Sequence, residues 1–376
     1  MELTVFQPEL TRALALVSRA VATRSVLPVL SHILLVARQG RLQLAATDLE
    51  LCLTGWLDAE VAQPGAITLP ARPFTELVNT LPAEVIRLTL DSQTQTLCVR
   101  GPVSTTQIKG LNAGEFPPLP QAEGQNSIHL SAAEWKTIIR QVTIAASSDE
   151  ARPSLRGVLV KLRGNLATFA TADGFRLAVR TTPLPTSADQ ECQLLIPARA
   201  LLELGRALKD SADQVEMYLP AESQQALFHT PEFELATQLI DANFPDYEAV
   251  IPQEPGTRTV VQTAEFLKAC KQAEIFARES SNIARLELQA GVDGQPGNIK
   301  VFAQADETGS NETCVEAVVE GEPLQIAFNV RFLRDVLEVI QTPNVVLETN
   351  QPNTPGVIRP HGEDNYLHVL MPMHAG

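Results

Sequence analysis

Apolar positions along the chain follow two rhythms. In three places they recur at the i, i+3, i+4, i+7 spacing that buries one face of a helix. These are Leu10, Ala13, Leu14 and Val17; Trp135, Ile138, Ile139 and Val142; and Phe266, Ala269, Cys270 and Ala273. A second helix follows each, marked by Phe74, Leu77 and Leu81, by Leu201, Leu204 and Leu208, and by Leu333, Val336 and Ile340. Each of these carries an acid near its start (Glu76, Glu203, Asp335), where negative charge suits the helix dipole. Pro8 falls near the first turn of the first helix, and Ser131 and Thr263 are the expected N-caps of its two counterparts.

Elsewhere apolar residues alternate with polar ones or run together, which predicts strands. They fall at 32–37, 41–46 and 51–56, then 85–90 and 97–100, in the first third of the chain. The second third repeats them at 158–162, 166–171 and 176–181, then 214–219, 227–230 and 233–239, and the last third has 345–348 and 367–371. Asp48, Asp173 and Asp306 close equivalent turns, and Arg72, Arg199 and Arg331 stand near the start of equivalent second helices. A repeat of this length exceeds the roughly 20–50 residues of a solenoid unit and matches a domain of about 100–150. The reading is α+β: three tandem domains at 1–120, 128–250 and 258–376, each with two helices packed on antiparallel sheet. The segments 111–117 and 239–245 resemble each other and end in Phe-Pro, so they read as stiff connectors. The third copy has no such connector and ends as a strand running into Met371-Pro372-Met373. Repeated domains are able to close rings.

Composition changes this picture little; charge changes it more. Hydrophobic content of 44% and charge of 19% fit a globular chain. No apolar run reaches the roughly 18–20 residues that span a bilayer, and the N-terminus reads as a strand, so a cytoplasmic protein is expected. Five dispersed cysteines without a CxxC read as buried, reduced thiols. Net charge is −15. The six helical windows carry thirteen basic and eight acidic residues, so the helices are basic and the rest of the chain is strongly acidic. A basic helical surface that avoids base edges binds the DNA backbone without reading sequence. An aromatic fraction of 5% is poor material for stacking single-stranded bases.

Catalysis finds little support. Three copies of one aspartate in three similar domains read as turn residues, whereas catalytic carboxylates need unlike surroundings. The six histidines lack ligand spacing, and no phosphate loop or nucleophile elbow is present. No catalytic residue, metal or cofactor is therefore expected. A three-domain adaptor that binds peptides without encircling DNA is the competing class.

Three segments carry a resemblance: 171–179 (Thr-Ala-Asp-Gly-Phe-Arg-Leu-Ala-Val), Phe244-Pro245-Asp246-Tyr247, and Val369-Leu370-Met371-Pro372-Met373. With the three repeats and the Pro-Ala-Arg starts at 70–72 and 197–199, the whole chain resembles the bacterial beta sliding clamp family, the processivity subunits of DNA polymerase III. The resemblance implies a head-to-tail homodimer whose six domains form a ring with helices lining the pore. It implies double-stranded DNA as the encircled, non-specific partner. Further implied partners are the polymerase III catalytic subunit, the clamp loader and other proteins bearing clamp-binding motifs.

The implied peptide pocket comprises Leu155, Ala172, Gly174, Phe175, Arg176, Leu177, Pro245, Val250, Val369, Met371, Pro372 and Met373. Family members commonly have Thr and His where this chain has Ala172 and Phe175, which implies a less polar pocket here. The DNA-facing set is Arg24, Arg72, Lys136, Arg140, Arg199, Lys268, Lys271 and Arg331. The dimer interface implied is Ile275 and Phe276 against Ile108.

Overall fold

Among the described residues the helical rhythm forms six α-helices: α1 (Gln7–Val17), α2 (Ala71–Thr80), α3 (Ala132–Val142), α4 (Ala198–Ala207), α5 (Thr263–Ala277) and α6 (Val330–Val339). The structure is a computed structural model that describes residues 1–23, 27–122, 127–185, 191–211, 213–219, 224–292 and 295–374. The faces expected from spacing are the buried ones in α1, α3 and α5, except that Ala13 is only half-buried: Leu10, Leu14, Val17, Trp135, Val142, Phe266, Ala269, Cys270 and Ala273 are sealed from solvent. A second exception is α2. Its buried face is Ala71, Phe74 and Val78, because the helix stops before Pro82 and leaves Leu81 in extended backbone. Asn329 caps α6, its Oδ1 accepting from the Arg331 amide at 3.0 Å. Thr263 is not a cap. It is the first residue of α5, and its hydroxyl donates to the Thr342 carbonyl instead.

Every strand pairing among the described residues is antiparallel, and the chain divides into two compact units. The first holds Met1–Ala133 and Glu203–Leu239; the second holds Glu134–Leu202 and Ile240–Gly376. These units do not follow the repeats, and strand pairing is the reason. In the first unit an eight-stranded sheet pairs Phe233–Gln238, the last strand of the second copy, with Leu51–Asp58 of the first. A separate five-stranded sheet ends on the edge strand Thr105–Lys109. In the second unit a twelve-stranded sheet pairs Tyr366–Leu370, the last strand of the third copy, with Arg176–Pro183 of the second. Sheets thus run across each repeat boundary.

Thr105–Lys109 has no fully buried position, and Gly309–Gly321 exposes Val318 and Cys314 among its outward residues, so neither shows a clean apolar alternation in sequence. In the latter, Glu312, Glu316 and Glu320 are exposed while Val315, Ala317 and Val319 are buried. Cys314 is exposed on that strand, and Cys98 and Cys192 are only partly buried. Of the five thiols expected to be core residues, only Cys52 and Cys270 are fully so.

The connectors are held as strand extensions. Thr68 and Leu111 exchange two backbone hydrogen bonds (3.1 and 3.0 Å), and the Ile240 amide donates to Leu195 at 2.8 Å. The third copy does have the equivalent, contrary to the sequence reading: the Met373 amide donates to Ala327 at 2.8 Å. Thr68, Leu195 and Ala327 are corresponding positions of the strands that lead into α2, α4 and α6. The C-terminal tail is the third connector.

Candidate functional site

The centre of the candidate site is a turn built by one carboxylate. Asp173 Oδ1 accepts from the amides of Phe175 (2.9 Å) and Arg176 (3.0 Å). Gly174 takes φ of +93°, a left-handed conformation that glycine adopts readily. The turn leaves Phe175 54% exposed. Its carbonyl accepts from the Met371 amide at 2.9 Å, which pins the start of the tail to this turn. The far end of the tail is pinned by the Met373 bond to Ala327. Pro372 between them has no N–H to leave unsatisfied, and its fixed φ stiffens the span. Two flexible thioethers, each half-buried, are thereby held on a rigid backbone beside an exposed aromatic ring.

Beneath the turn, Leu155, Leu177 and Val369 belong to one buried cluster with Phe244 and Tyr247, and Ala172 packs against it. Burial, with help from the neighbouring Glu248, pushes the Tyr247 hydroxyl up to about 12. The Lys161 ammonium lies 4.8 Å from its ring centroid. Pro245 and Val250 are exposed on either side of Tyr247. Arg176, which the resemblance places among the pocket residues, is held within the fold. Its guanidinium donates to Asp173 (3.0 Å) and Asp335 (2.8 Å) and stacks on Phe332 at 4.1 Å, and its side chain is only 11% exposed. That charge is used by the fold. Sequence reasoning missed Arg152, whose guanidinium lies 3.4 Å from where a Cβ on Gly174 would sit. Arg152 is paired only at the surface, with Asp149 at 2.9 Å, so its charge remains usable at the rim. The Phe-Pro-Asp-Tyr motif was the available signal for Phe244 and Tyr247; no comparable motif marks Arg152.

The helical cations are largely engaged by neighbouring acids. Arg24 lies outside the described residues. Arg72 pairs with Glu76 one turn away at 2.8 Å, fully in solvent. In the second unit Lys271 pairs with Glu338 (2.9 Å) and Lys268 approaches Glu265 (3.9 Å). Arg140 donates to Gln341 at 2.8 and 3.0 Å when that amide presents its oxygen. Arg199 and Arg331 are exposed, and Lys136 is half-exposed. Exposed pairs of this kind are worth about 0–1 kcal/mol, so a phosphate readily replaces the acid.

Of the interface residues, Ile108 is half-exposed on the edge strand Thr105–Lys109. Ile275 is 60% exposed near the end of α5, whereas Phe276 packs against the third copy's core. Among the described residues no group of three or more His, Cys, Asp or Glu is placed to hold a metal, and no helix is long and apolar enough to cross a membrane.

Comparison with known proteins agrees with this architecture. Residues 1–120, 129–246 and 248–374 match, in order, the N-terminal, central and C-terminal domains of the DNA polymerase III beta subunit. The chain is 33% identical to the beta sliding clamp of Synechococcus elongatus, with 99% of each chain covered. It is 32% identical to that of Pseudomonas putida, with 99% of this chain and all of the relative covered. Its structure superposes on the DNA polymerase sliding clamp of Bacillus subtilis with a TM-score of 0.94 at 27% identity, both chains fully covered. For the DNA polymerase III beta subunit of Pseudomonas aeruginosa the values are 0.92 and 29%, again over both full chains. With all three domains in order and relatives aligned from end to end, this chain belongs to the beta sliding clamp family of DNA polymerase III beta subunits.

Proposed function

We propose that this processivity clamp acts as a closed head-to-tail homodimeric ring of three-domain subunits (1–120, 128–250 and 258–376) around duplex DNA. The task is topological: a closed ring cannot leave sideways, and weak, exchangeable phosphate contacts let it move along the backbone without reading sequence. The paired but exposed Arg72, Lys268 and Lys271 suit such contacts, as do Arg140, Arg199, Arg331 and Lys136. Ring closure is assigned to Ile275 and Phe276 meeting Ile108 of a second copy. The clamp needs no reaction of its own, works in the cytoplasm, and tethers others.

Tethering is assigned to the cleft beside Phe175. The observation that carries it is the tail pinned at both ends next to an exposed aromatic ring. Such a rigid, apolar, thioether-lined surface accepts varied short peptides. The partners proposed are the polymerase III catalytic subunit, the clamp loader and other proteins with a clamp-binding peptide. With Phe175 and Ala172 at its mouth, the cleft favours apolar anchors.

The test is retention on closed circular DNA followed by linearisation. A ring loaded by its clamp loader stays on the circle and runs off once it is cut. Equal retention before and after cutting would overturn encirclement and favour a peptide-binding adaptor.

A further inference from the structure

The cleft beside Phe175 has a structural twin in the first unit. Leu155, Leu159, Ala170 and Leu177 form the floor of the first. Residues 125 positions earlier, Leu30, Leu34, Ala45 and Cys52, are also buried, in two adjoining clusters of the first unit. Phe244 and Tyr247 correspond to Phe116 and Leu119, which pack into those clusters, and Val369 corresponds to Ala236. The mouth repeats as well. Asp48 Oδ1 accepts from the amides of Glu50 (3.1 Å) and Leu51 (2.8 Å), as Asp173 does from Phe175 and Arg176.

What differs is the chemistry at the mouth. Glu50, exposed, replaces Phe175. Leu51 replaces Arg176, and Leu27, 47% exposed, replaces Arg152. Leu49 replaces Gly174, and it holds φ of +78° while 52% exposed. A leucine in left-handed backbone is strained, and residues kept in such conformations cluster at functional sites. Arg152 lies 3.4 Å from where a Cβ on Gly174 would sit, so by equivalence Leu27 belongs beside Leu49, and two exposed leucines with Asp48 and Glu50 stand where the other site has its Arg152 rim.

We infer that this first-unit cleft is a second peptide-docking site, which takes an extended segment of a partner protein with leucine-like anchors flanked by lysine or arginine. Leu27 and Leu49 receive the anchors, and Asp48 and Glu50 receive the basic flank. The inference rests on the reading of the Phe175 cleft as a peptide site, since it extends that architecture by internal equivalence. One clamp would then hold two peptides of opposite charge at once.

The experiment uses the full chain and fluorescein-labelled heptapeptides followed by anisotropy at near-physiological salt. One probe, Lys-Leu-Lys-Leu-Leu-Lys-Lys, addresses the new cleft. A second, with glutamate in place of lysine, addresses the cleft beside Phe175. A third, with serine in place of leucine, controls for charge alone. Leu49→Lys and Glu50→Lys, both at exposed positions, should each weaken the basic probe about tenfold or more, a loss of about 1.4 kcal/mol. Phe175→Asp should leave that probe unchanged while weakening the acidic one. The inference is overturned if the basic probe does not bind, if the serine control binds equally well, if both Leu49→Lys and Glu50→Lys are silent, or if Phe175→Asp abolishes basic-probe binding. Failure of the acidic probe with the basic one intact counts against the Phe175 reading alone.

Discussion

At the scale of single residues, Arg176 and Phe175 are neighbours with opposite duties. Arg176 commits its guanidinium to two aspartates and an aromatic face, nearly out of solvent. Removing one partner of a largely buried charge pair costs roughly 3 kcal/mol. Arg176→Ala is therefore expected to lower unfolding stability by about that much, read by urea denaturation. Phe175→Ala should move stability by less than about 0.5 kcal/mol while weakening peptide binding in a titration. If Arg176→Ala left stability intact and abolished only peptide binding, the assignment would be reversed.

Elsewhere in the same unit, His368 is fully buried beside the Tyr366 hydroxyl. Burial, with the nearby Arg176 charge adding to it, pushes its imidazole down to about 3. It is thus neutral in the fold, while the unfolded chain protonates near the ordinary value of 6.5. The folded state keeps this contribution above about pH 6.5 and loses it progressively as pH falls toward 3. At pH 5 the loss is roughly 2 kcal/mol. His368→Leu should flatten the difference in unfolding stability between pH 7.5 and pH 5; an unchanged difference would assign the acid sensitivity elsewhere.

Among the elements, α5 offers both Ile275 and Phe276 to the proposed subunit contact but ties only Phe276 to its own core. Ile275 faces out and Phe276 packs in. Ile275→Asp should leave the fold intact and shift the species from dimer to monomer in sedimentation velocity. Phe276→Asp should cost folding stability as well, by about 2–3 kcal/mol, because it places a carboxylate against the third copy's core. A dimeric Ile275→Asp protein would place the subunit contact elsewhere. The helices were legible because a 3.6-residue period leaves a firm signature even in eleven residues. The edge strand Thr105–Lys109 was not legible, since neither face is fully buried and alternation carries no apolar signal. The tail was legible as a motif, but its role as a connector depends on a hydrogen bond to Ala327, far away in sequence.

For the whole molecule, the charge segregation read from the helical windows needs one refinement. The basic residues are there, yet Lys271 and Lys268 already face Glu338 and Glu265. With these lysines as the proposed phosphate contacts, such pairing would keep each contact weak and exchangeable, which suits movement along the backbone. Glu265→Gln with Glu338→Gln should release both lysines and tighten binding to a short linear duplex. The slope of log affinity against log salt should steepen by about 0.9 for each additional phosphate neutralised. An unchanged slope would mean that neither lysine meets a phosphate.

The sequence by itself determined the threefold repeat, most of the helical faces and the Asp48 and Asp173 turns, because periodicity and turn chemistry are written in neighbouring positions. The tertiary structure alone decided which charged side chains are committed within the fold. Arg176 is consumed by Asp335 and Phe332, more than 150 residues away, while Arg152 is left at the rim. It also decided that sheets cross the repeat boundaries, and so brought the second copy's last strand to the first copy's turn as it brought the third's to the second's. Local periodicity fixes which face a side chain takes; only long-range pairing fixes what that face meets.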